Sequence, residues 1–450
     1  MINMKLSEAA KSLHSIYFGQ DVEFSGCSTD SRKVNKGELF IALKGDRFDG
    51  HDFLKSAKQH GACAAMVEKA EEQYLPTLVV EDTRHAMGKL AEYWRAGFSI
   101  PLVAITGSNG KTTVKEMLVS ILRLQAPVLA TRGNLNNDIG VPLTLFGLGN
   151  EHRFAVVEMG ANHPGEIAWL SRIARPTVAL ITQCAPAHLE GFGSIEGVAR
   201  AKAEIYESLD QNGTAIINAD DAYAELWRKK IRGFRQLSFG LEQPADISAK
   251  SISQSVSGAK SVFVLITPCG SIDISLPMLG KHNIINALAA ATCATGLKID
   301  LTLIKRGLEN MTVVKGRLET KPGLNNSRII DDTYNANLVS LAAALNVVSA
   351  FQGRRWLVLG DMGDLGPESE VMHTRAGKAA RESGIERLYA TGPLSRAAVE
   401  SFGNYAMHFT DINLLIENLQ NDIASDVTVL VKGSRAMQME RVVNSLEAKS

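Results

Sequence analysis

The sequence predicts an α/β protein divided into three domains, and three features carry that reading. At 450 residues the chain is too long for one ordinary hydrophobic core. From Leu102 onward, buried strand-like runs alternate with helical stretches beyond a glycine-rich loop, the rhythm of a parallel sheet covered by helices. The same rhythm starts afresh near Arg328.

Taken in order, residues 1–81 place short strand-like runs at Leu39–Leu43, Ala64–Val67 and Thr77–Val80 around a helix-like stretch near Phe53–His60, which makes a small α/β domain. The second domain spans 82–314. It opens on a helical connector, Asp82–Phe98, in which Met87, Leu90, Ala91 and Trp94 share one face and Asp82 or Thr83 caps the start. Pro101 introduces the strand Leu102–Thr106, the loop Gly107–Lys111 and the helix Thr112–Leu124, and further strands follow at Phe154–Glu158, Thr177–Thr182 and Thr214–Asn218. Between Ala245 and Leu276 the texture changes to short alternating strands, Ser261–Thr267 and Ser271–Leu276, expected as an antiparallel flank of the same domain. The serine-rich stretch Ser251–Ser261 reads as a mobile loop. In the third domain, 315–450, strands at Arg328–Asp332, Trp356–Gly360, Arg387–Thr391 and Val427–Val431 alternate with helices in a Rossmann-like series.

Composition excludes some functions. The 48 basic and 48 acidic side chains cancel, so no net field steers the chain onto a polynucleotide or an anionic membrane, and any phosphate must be held locally. Neither nucleic acid nor membrane insertion is expected. Cys27, Cys63, Cys184, Cys269 and Cys293 lie far apart with no C-x-x-C pair, which argues against a disulfide framework or a zinc site and suits a reducing cytoplasm. Met1–His14 carries Lys5, Glu8 and Lys11 and lacks the apolar middle of a secretory signal, and no uncharged apolar run reaches spanning length.

The segment Thr106-Gly107-Ser108-Asn109-Gly110-Lys111-Thr112-Thr113 joins a buried strand to a helix, where backbone N–H groups and a helix N-terminus can surround phosphate oxygens. Lys111 offers a point charge to the β and γ phosphates, and the Thr112 hydroxyl a hard oxygen for Mg²⁺. The spacing is G-x-x-G-K-T, with Ile105 where the usual G-x-x-x-x-G-K-[ST] has its first glycine. An ordinary tight turn is the alternative. The flanking strand and helix favour phosphate binding and make the central domain P-loop ATPase-like.

Downstream, Glu158 ends a strand at the carboxyl edge of the sheet, where ligands of open α/β folds collect; it reads equally as a metal-holding carboxylate or a solvated strand-end acid. His188 follows the next strand at the same edge, a position at which a lone histidine is usually a surface or capping group. Lys202 lies on a helix where exposure is the default expectation.

These segments together resemble the Mur ligases, which build the peptide of the bacterial wall precursor. The resemblance runs along essentially the whole chain: Thr106–Thr113, Gly133–Pro142, Glu158-Met159-Gly160, His188–Gly193, His282–Leu288, Gly316-Arg317, Asp331–Asn337, Leu359–Met362 and Lys432–Arg435. Within the family, Asn134–Pro142, Asp331–Asn337, Thr29–Arg32 and Gly45–His51 look most like the member that joins D-alanyl-D-alanine to UDP-N-acetylmuramoyl-tripeptide. The Asp-Asn-Pro-Arg sequence typical of the preceding ligase is absent. Leu338 and Asp364 depart from the pattern, standing where proline and glutamate are usual.

The resemblance implies the roles that follow. Gly107, Ser108, Asn109, Gly110, Lys111, Thr112 and Thr113 would hold the phosphates of ATP, with Asn283 and Asn286 near adenine and Arg317 and Asp331 reaching the nucleotide from the hinge and the last domain. Thr112, Glu158, His188 and Lys202, the last as a carbamate, would support Mg²⁺; Lys111, Glu158, His188 and Lys202 would act in catalysis. Ser31, Arg32, Asp49, Gly50 and His51 would meet the UDP end of the substrate. Asn137, Tyr334, Asn335 and Asn337 would also bind substrate. The enzyme would act as a monomer on small-molecule substrates.

A carboxylate does not react with an amine at neutral pH because its oxygen leaves poorly. Phosphoryl transfer from ATP would convert it to an acyl phosphate, which the incoming amine attacks with release of phosphate. The alternatives are another Mur or folylpolyglutamate-type ligase, a P-loop NTPase that drives a partner, and a non-catalytic UDP-sugar-binding module.

Overall fold

The computed structural model describes residues 1–45, 48–69, 74–186, 189–256 and 259–448. Asp46 and Arg47 of the amino-terminal motif, and His188, lie outside the described residues.

The predicted three-domain α/β architecture is present. In the amino-terminal domain, strands Cys27–Ser28, Leu39–Ile41, Ala64–Val67 and Thr77–Val79 pair in parallel, and Ile16–Phe18 adds an antiparallel edge. Two short strands, Asn3–Lys5 and Glu23–Ser25, pair separately. The central sheet is parallel throughout, in the order Arg235–Phe239, Thr214–Asn218, Val178–Ile181, Leu102–Thr106, Phe154–Glu158, Val128–Ala130. Leu102–Thr106 is thus the middle of the sheet, buried at every residue, as continuous apolar strands of covered sheets are. The loop that follows it emerges at the centre of the carboxyl edge.

The segment expected to flank this sheet does so. Strands Ser248–Ser255, Lys260–Thr267 and Gly270–Leu276 form an antiparallel sheet whose Phe263, Leu265, Ile274 and Leu276 join the core under the central strands. The reading of Ser251–Ser261 as a mobile loop is corrected: Ser253, Gln254 and Ser255 pair with Val262, Ser261 and Lys260. Serine composition misleads there because the ladder needs only backbone groups, and its side chains face solvent.

The carboxyl-terminal sheet runs Glu319–Pro322, Arg328–Asp332, Val427–Lys432, Arg354–Gly360, Arg387–Thr391, Ala406–Phe409, parallel except for the first pair. Its core is separate from the rest apart from Leu279 and Val256. The amino-terminal and central domains instead share one continuous core through the helix Thr83–Ala96, where Met87, Leu90 and Ala91 are buried and the Asp82 carboxylate caps by accepting from the His85 N–H at 2.8 Å. The first two domains therefore behave as one packed body, and the third as a body joined to it across Gly316, whose φ is +72°.

Candidate active site

The loop after Leu102–Thr106 has the backbone that its glycines allow: Gly107 has φ +151° and Gly110 φ +83°. It is clamped on its neighbour strand, with the Ser108 N–H donating to the Gln183 carbonyl at 2.9 Å, the Ser108 hydroxyl to the Ala185 carbonyl at 2.9 Å, and the Thr182 hydroxyl to the Asn109 carbonyl at 2.6 Å. A Cβ on Gly107 would lie 1.8 Å from Thr182 Oγ1. Gly107→Ala is therefore expected to weaken ADP binding at least tenfold by displacing the loop; calorimetric titration giving a constant within twofold of the parent's would refute a cradle role.

The helix Lys111–Arg123 begins inside this loop. Lys111 Nζ donates back to the Gly107 carbonyl at 2.8 Å, and burial lowers its pKa, opposed by Glu158 and reinforced by Arg317. Thr112 is the hub. Its hydroxyl donates to Glu158 Oε2 at 2.9 Å, and Arg317 Nη2 approaches the same oxygen from the third domain at 3.1 Å. Glu158, 2% exposed, is no solvated acid: Asn136 Nδ2 donates to its Oε1 at 2.8 Å, and its own N–H donates to Thr131 Oγ1 at 3.0 Å.

Lys202 is also buried, at 4% exposure, against the default expectation for a helical lysine. It belongs to the inner face of Ile195–Ala203, with Val198 and Ala201. Burial first, and the Lys111 charge second, bring its pKa down to about 7.

The third domain closes the site. Asn337 caps the helix Leu338–Val348 through a capping box, and its Nδ2 donates across the domain boundary to Asn109 Oδ1 at 2.8 Å. Leu338 takes the first helical position, which proline also suits. Arg317 stacks 4.2 Å over the Tyr334 ring. Asp331 is spent locally, accepting from Thr333 Oγ1 at 2.6 Å and from the Thr333 N–H. On the helix Lys281–Gly296, Asn283 Nδ2 donates to the Leu279 carbonyl at 2.8 Å, while Asn286 lies against Gly110.

The remaining candidates occupy other loops at carboxyl ends of parallel strands. Ser31 is buried, and Arg32 makes a two-pronged pair with Asp30, whose pKa falls to about 2. Asp49 bonds the N–H and Nδ1 of His51, and His51 Nε2 accepts the Glu68 N–H at 2.9 Å, so His51 orients this loop with both ring nitrogens in use. Gly50 is pressed on Leu43, 2.7 Å from where its Cβ would stand. Asn137 Oδ1 accepts the Gly140 N–H at 2.9 Å. Asn335 offers its carbonyl to Lys432 Nζ at 3.0 Å.

Sequence reading missed four residues here. Thr131 and Asn136 hold Glu158 from both sides. Lys432, 1% exposed, pairs with Asp332, and together with burial it pushes the His282 pKa down to about 4, leaving that imidazole neutral. Asn136, His282 and Lys432 stood inside the motifs named above, but nothing in the string marks Lys432 as buried or the His282 ring as neutral.

Two donors in this region, Asn109 Nδ2 and Arg317 Nε, are buried without a hydrogen-bond partner among the described residues. A positive loop, a basic hinge and orphaned donors suit a polyphosphate; the Thr112 hydroxyl and Glu158 carboxylate are the hard oxygens that suit Mg²⁺. Among the described residues no group of three or more His, Cys, Asp or Glu could form an all-protein metal cage.

Three family descriptions match in chain order: Mur ligase family, catalytic domain, over residues 23–95; Mur ligase middle domain, over 105–294; and Mur ligase, glutamate ligase domain, over 316–435. The chain belongs to the Mur ligase family. It is 45% identical over 450 residues to the UDP-N-acetylmuramoyl-tripeptide–D-alanyl-D-alanine ligase of Escherichia coli K12, covering 99% of each chain. The crystal structure of MurF from Acinetobacter baumannii superposes with a TM-score of 0.93 at 37% identity over 99% of both chains. That of the MurF ligase from Thermotoga maritima in complex with ADP gives 0.83 at 28% identity, over 93% of this chain and 96% of the other.

Proposed function

We propose that the protein is an ATP-dependent ligase that joins D-alanyl-D-alanine to UDP-N-acetylmuramoyl-tripeptide through an acyl phosphate, forming one C–N bond and releasing ADP and phosphate in peptidoglycan precursor synthesis. The observation that carries the reading is the Thr112 hydroxyl, where the phosphate loop, the sheet-edge acid Glu158 and the hinge residue Arg317 meet. Residues 1–81 take the UDP end, 82–314 take ATP, and 315–450 bring the dipeptide.

Both partners of phosphoryl transfer are anions, so positive charge must cancel their repulsion. Lys111 supplies it from the loop and Arg317 from the hinge. Thr112, Glu158 and a carbamylated Lys202, with His188 of the adjoining loop, would hold Mg²⁺, which when bound would supply further charge stabilisation on the transferring group. The Asn337–Asn109 and Arg317–Thr112 bonds draw the third domain over the loop, so the dipeptide amine meets its electrophile away from water.

Carbamylation of Lys202 joins a neutral amine to CO₂ with loss of one proton, and a pKa near 7 leaves much of this amine neutral at physiological pH. The sign follows from the depressed value: the cost of holding the charged amine in the fold accrues as pH falls from the ordinary lysine range towards 7. A carbon-13 carbamate signal from labelled bicarbonate is expected near pH 8, fading below pH 7 and absent in Lys202→Ala. A signal unchanged in that variant would count against the assignment.

No helix among the described residues is long and apolar enough to cross a membrane, and the five cysteines are free, which supports a place in the cytoplasm. The activity is tested by phosphate release from ATP and the UDP-muramoyl tripeptide with and without D-alanyl-D-alanine. Release that needs both, with a product heavier by the dipeptide less water, is expected. Release indifferent to the dipeptide would return the reading to an NTPase.

A further inference from the structure

The phosphate-loop helix contains a second lysine with no place in the chemistry so far. Lys115 is 1% exposed, among the largest fully buried side chains of the protein, on a helix whose next turn buries Leu118 and Val119 beside it. Burying an ammonium sacrifices its hydration, and an apolar residue of similar length would fill the space without that cost. Lysine at this site therefore needs a use for its charge and donors. Glu116 Oε1 lies 2.8 Å from Nζ, but that carboxylate is 40% exposed and gives only partial compensation.

The other partner is more informative. Lys115 Nζ donates at 2.7 Å to the carbonyl of Thr131, the residue directly after the edge strand Val128–Ala130, whose pairing with Phe154–Glu158 ends at Ala130. Lys115 thus fixes the point where the chain leaves the sheet. The segment beyond it then returns to Glu158 twice: Thr131 Oγ1 takes the Glu158 N–H at 3.0 Å, and Asn136 Nδ2 donates to Glu158 Oε1 at 2.8 Å. A third bond, from the Gly160 N–H to the Asn136 carbonyl at 2.8 Å, locks the far side.

We infer that Lys115 is a positioning residue for the divalent-cation site: through Thr131 it sets the loop that aims the Glu158 carboxylate at the position beside Thr112. The inference rests on the reading of Glu158 as a cation-holding group. A purely structural lysine, tying the helix to the edge strand, would contribute to stability alone and leave the cation response untouched.

The two roles separate in ADP titrations by calorimetry on the full chain, with Mg²⁺ and with EDTA, run on the parent and on Lys115→Met, which keeps the aliphatic stem and loses the ammonium. The parent is expected to bind ADP more tightly with Mg²⁺. In Lys115→Met that gain should shrink by about tenfold, the lower end of the effect of losing an outer-shell partner of a metal ligand, while binding in EDTA changes less than twofold. Lys115→Arg, which restores charge and donors, should recover part of the gain. An undiminished gain in Lys115→Met, or equal losses with and without Mg²⁺, overturns the positioning role. A parent without any Mg²⁺ gain overturns instead the reading of Glu158. Should Lys115→Met fail to fold, Thr131→Val removes only the hydroxyl that receives the Glu158 amide; a Mg²⁺ gain equal to the parent's in that variant breaks the proposed relay.

Discussion

Glu158→Gln is expected to lower kcat/KM about a thousandfold while leaving the fold intact. The carboxylate is 2% exposed, and its two oxygens each take one donor, Thr112 Oγ1 and Asn136 Nδ2. Glutamine keeps the shape, and the threonine hydroxyl can rotate from donor to acceptor to meet the new NH₂, so the pocket need not collapse. What is lost is the negative charge that, on the proposed reading, would hold a cation against the phosphates. Metal charge stabilisation is worth several kcal/mol, and about 4 kcal/mol corresponds to three powers of ten in rate. Steady-state kinetics across a Mg²⁺ series should show the loss partly restored at high Mg²⁺, with thermal unfolding near the parent's. Activity within fivefold of the parent at low Mg²⁺ would mean that the ion is held elsewhere.

Much of the architecture was legible because its signals are local. Phe154–Glu158, Thr214–Asn218, Arg328–Asp332 and Arg387–Thr391 have the bounds expected of them, since a strand covered on both faces needs apolar residues at its centre and leaves polar ones for its ends. Short or edge strands escaped: Val128–Ala130 is only three residues long, and Ile16–Phe18 is exposed at every position, so neither carries a burial signal. The site divides in the same way. Lys111 and Thr112 announce themselves because a loop between strand and helix needs its glycines in fixed places. Glu158 could be placed at the sheet edge but not distinguished from a solvated acid, because its burial depends on Asn136 and Thr131, reached through a different loop. The depressed pKa of Lys202 follows from its burial first and then from the charge of Lys111, ninety-one positions earlier, and no spacing rule encodes either. The bonds Arg317–Thr112 and Asn337–Asn109 likewise depend on how two domains meet.

Lys111→Met is expected to reduce turnover by about a thousandfold and yet to raise the unfolding temperature of the nucleotide-free protein. The loss follows from removing a preorganised charge at the transferring phosphoryl group, where a single stabilising donor is worth about 10²–10³ in rate and a full charge somewhat more. The gain in stability follows from the surroundings of that charge without nucleotide. Its hydrogen bond is to the Gly107 carbonyl, and burial already lowers its pKa, with Glu158 opposing and Arg317 adding like charge beside it. Methionine keeps most of the stem's packing and removes the cost of burying the ammonium, which outweighs its attraction to Glu158, so a rise of about 1–3 °C is expected for a change near 1 kcal/mol in a large chain. Saturating ADP should reverse the order. Ligand at one hundred times its dissociation constant adds about 2.7 kcal/mol to the parent, and a variant that binds poorly gains far less. Differential scanning fluorimetry with and without ADP should therefore give two lines that cross. If the variant were the less stable in both conditions, Lys111 would be holding the loop together rather than waiting for phosphate.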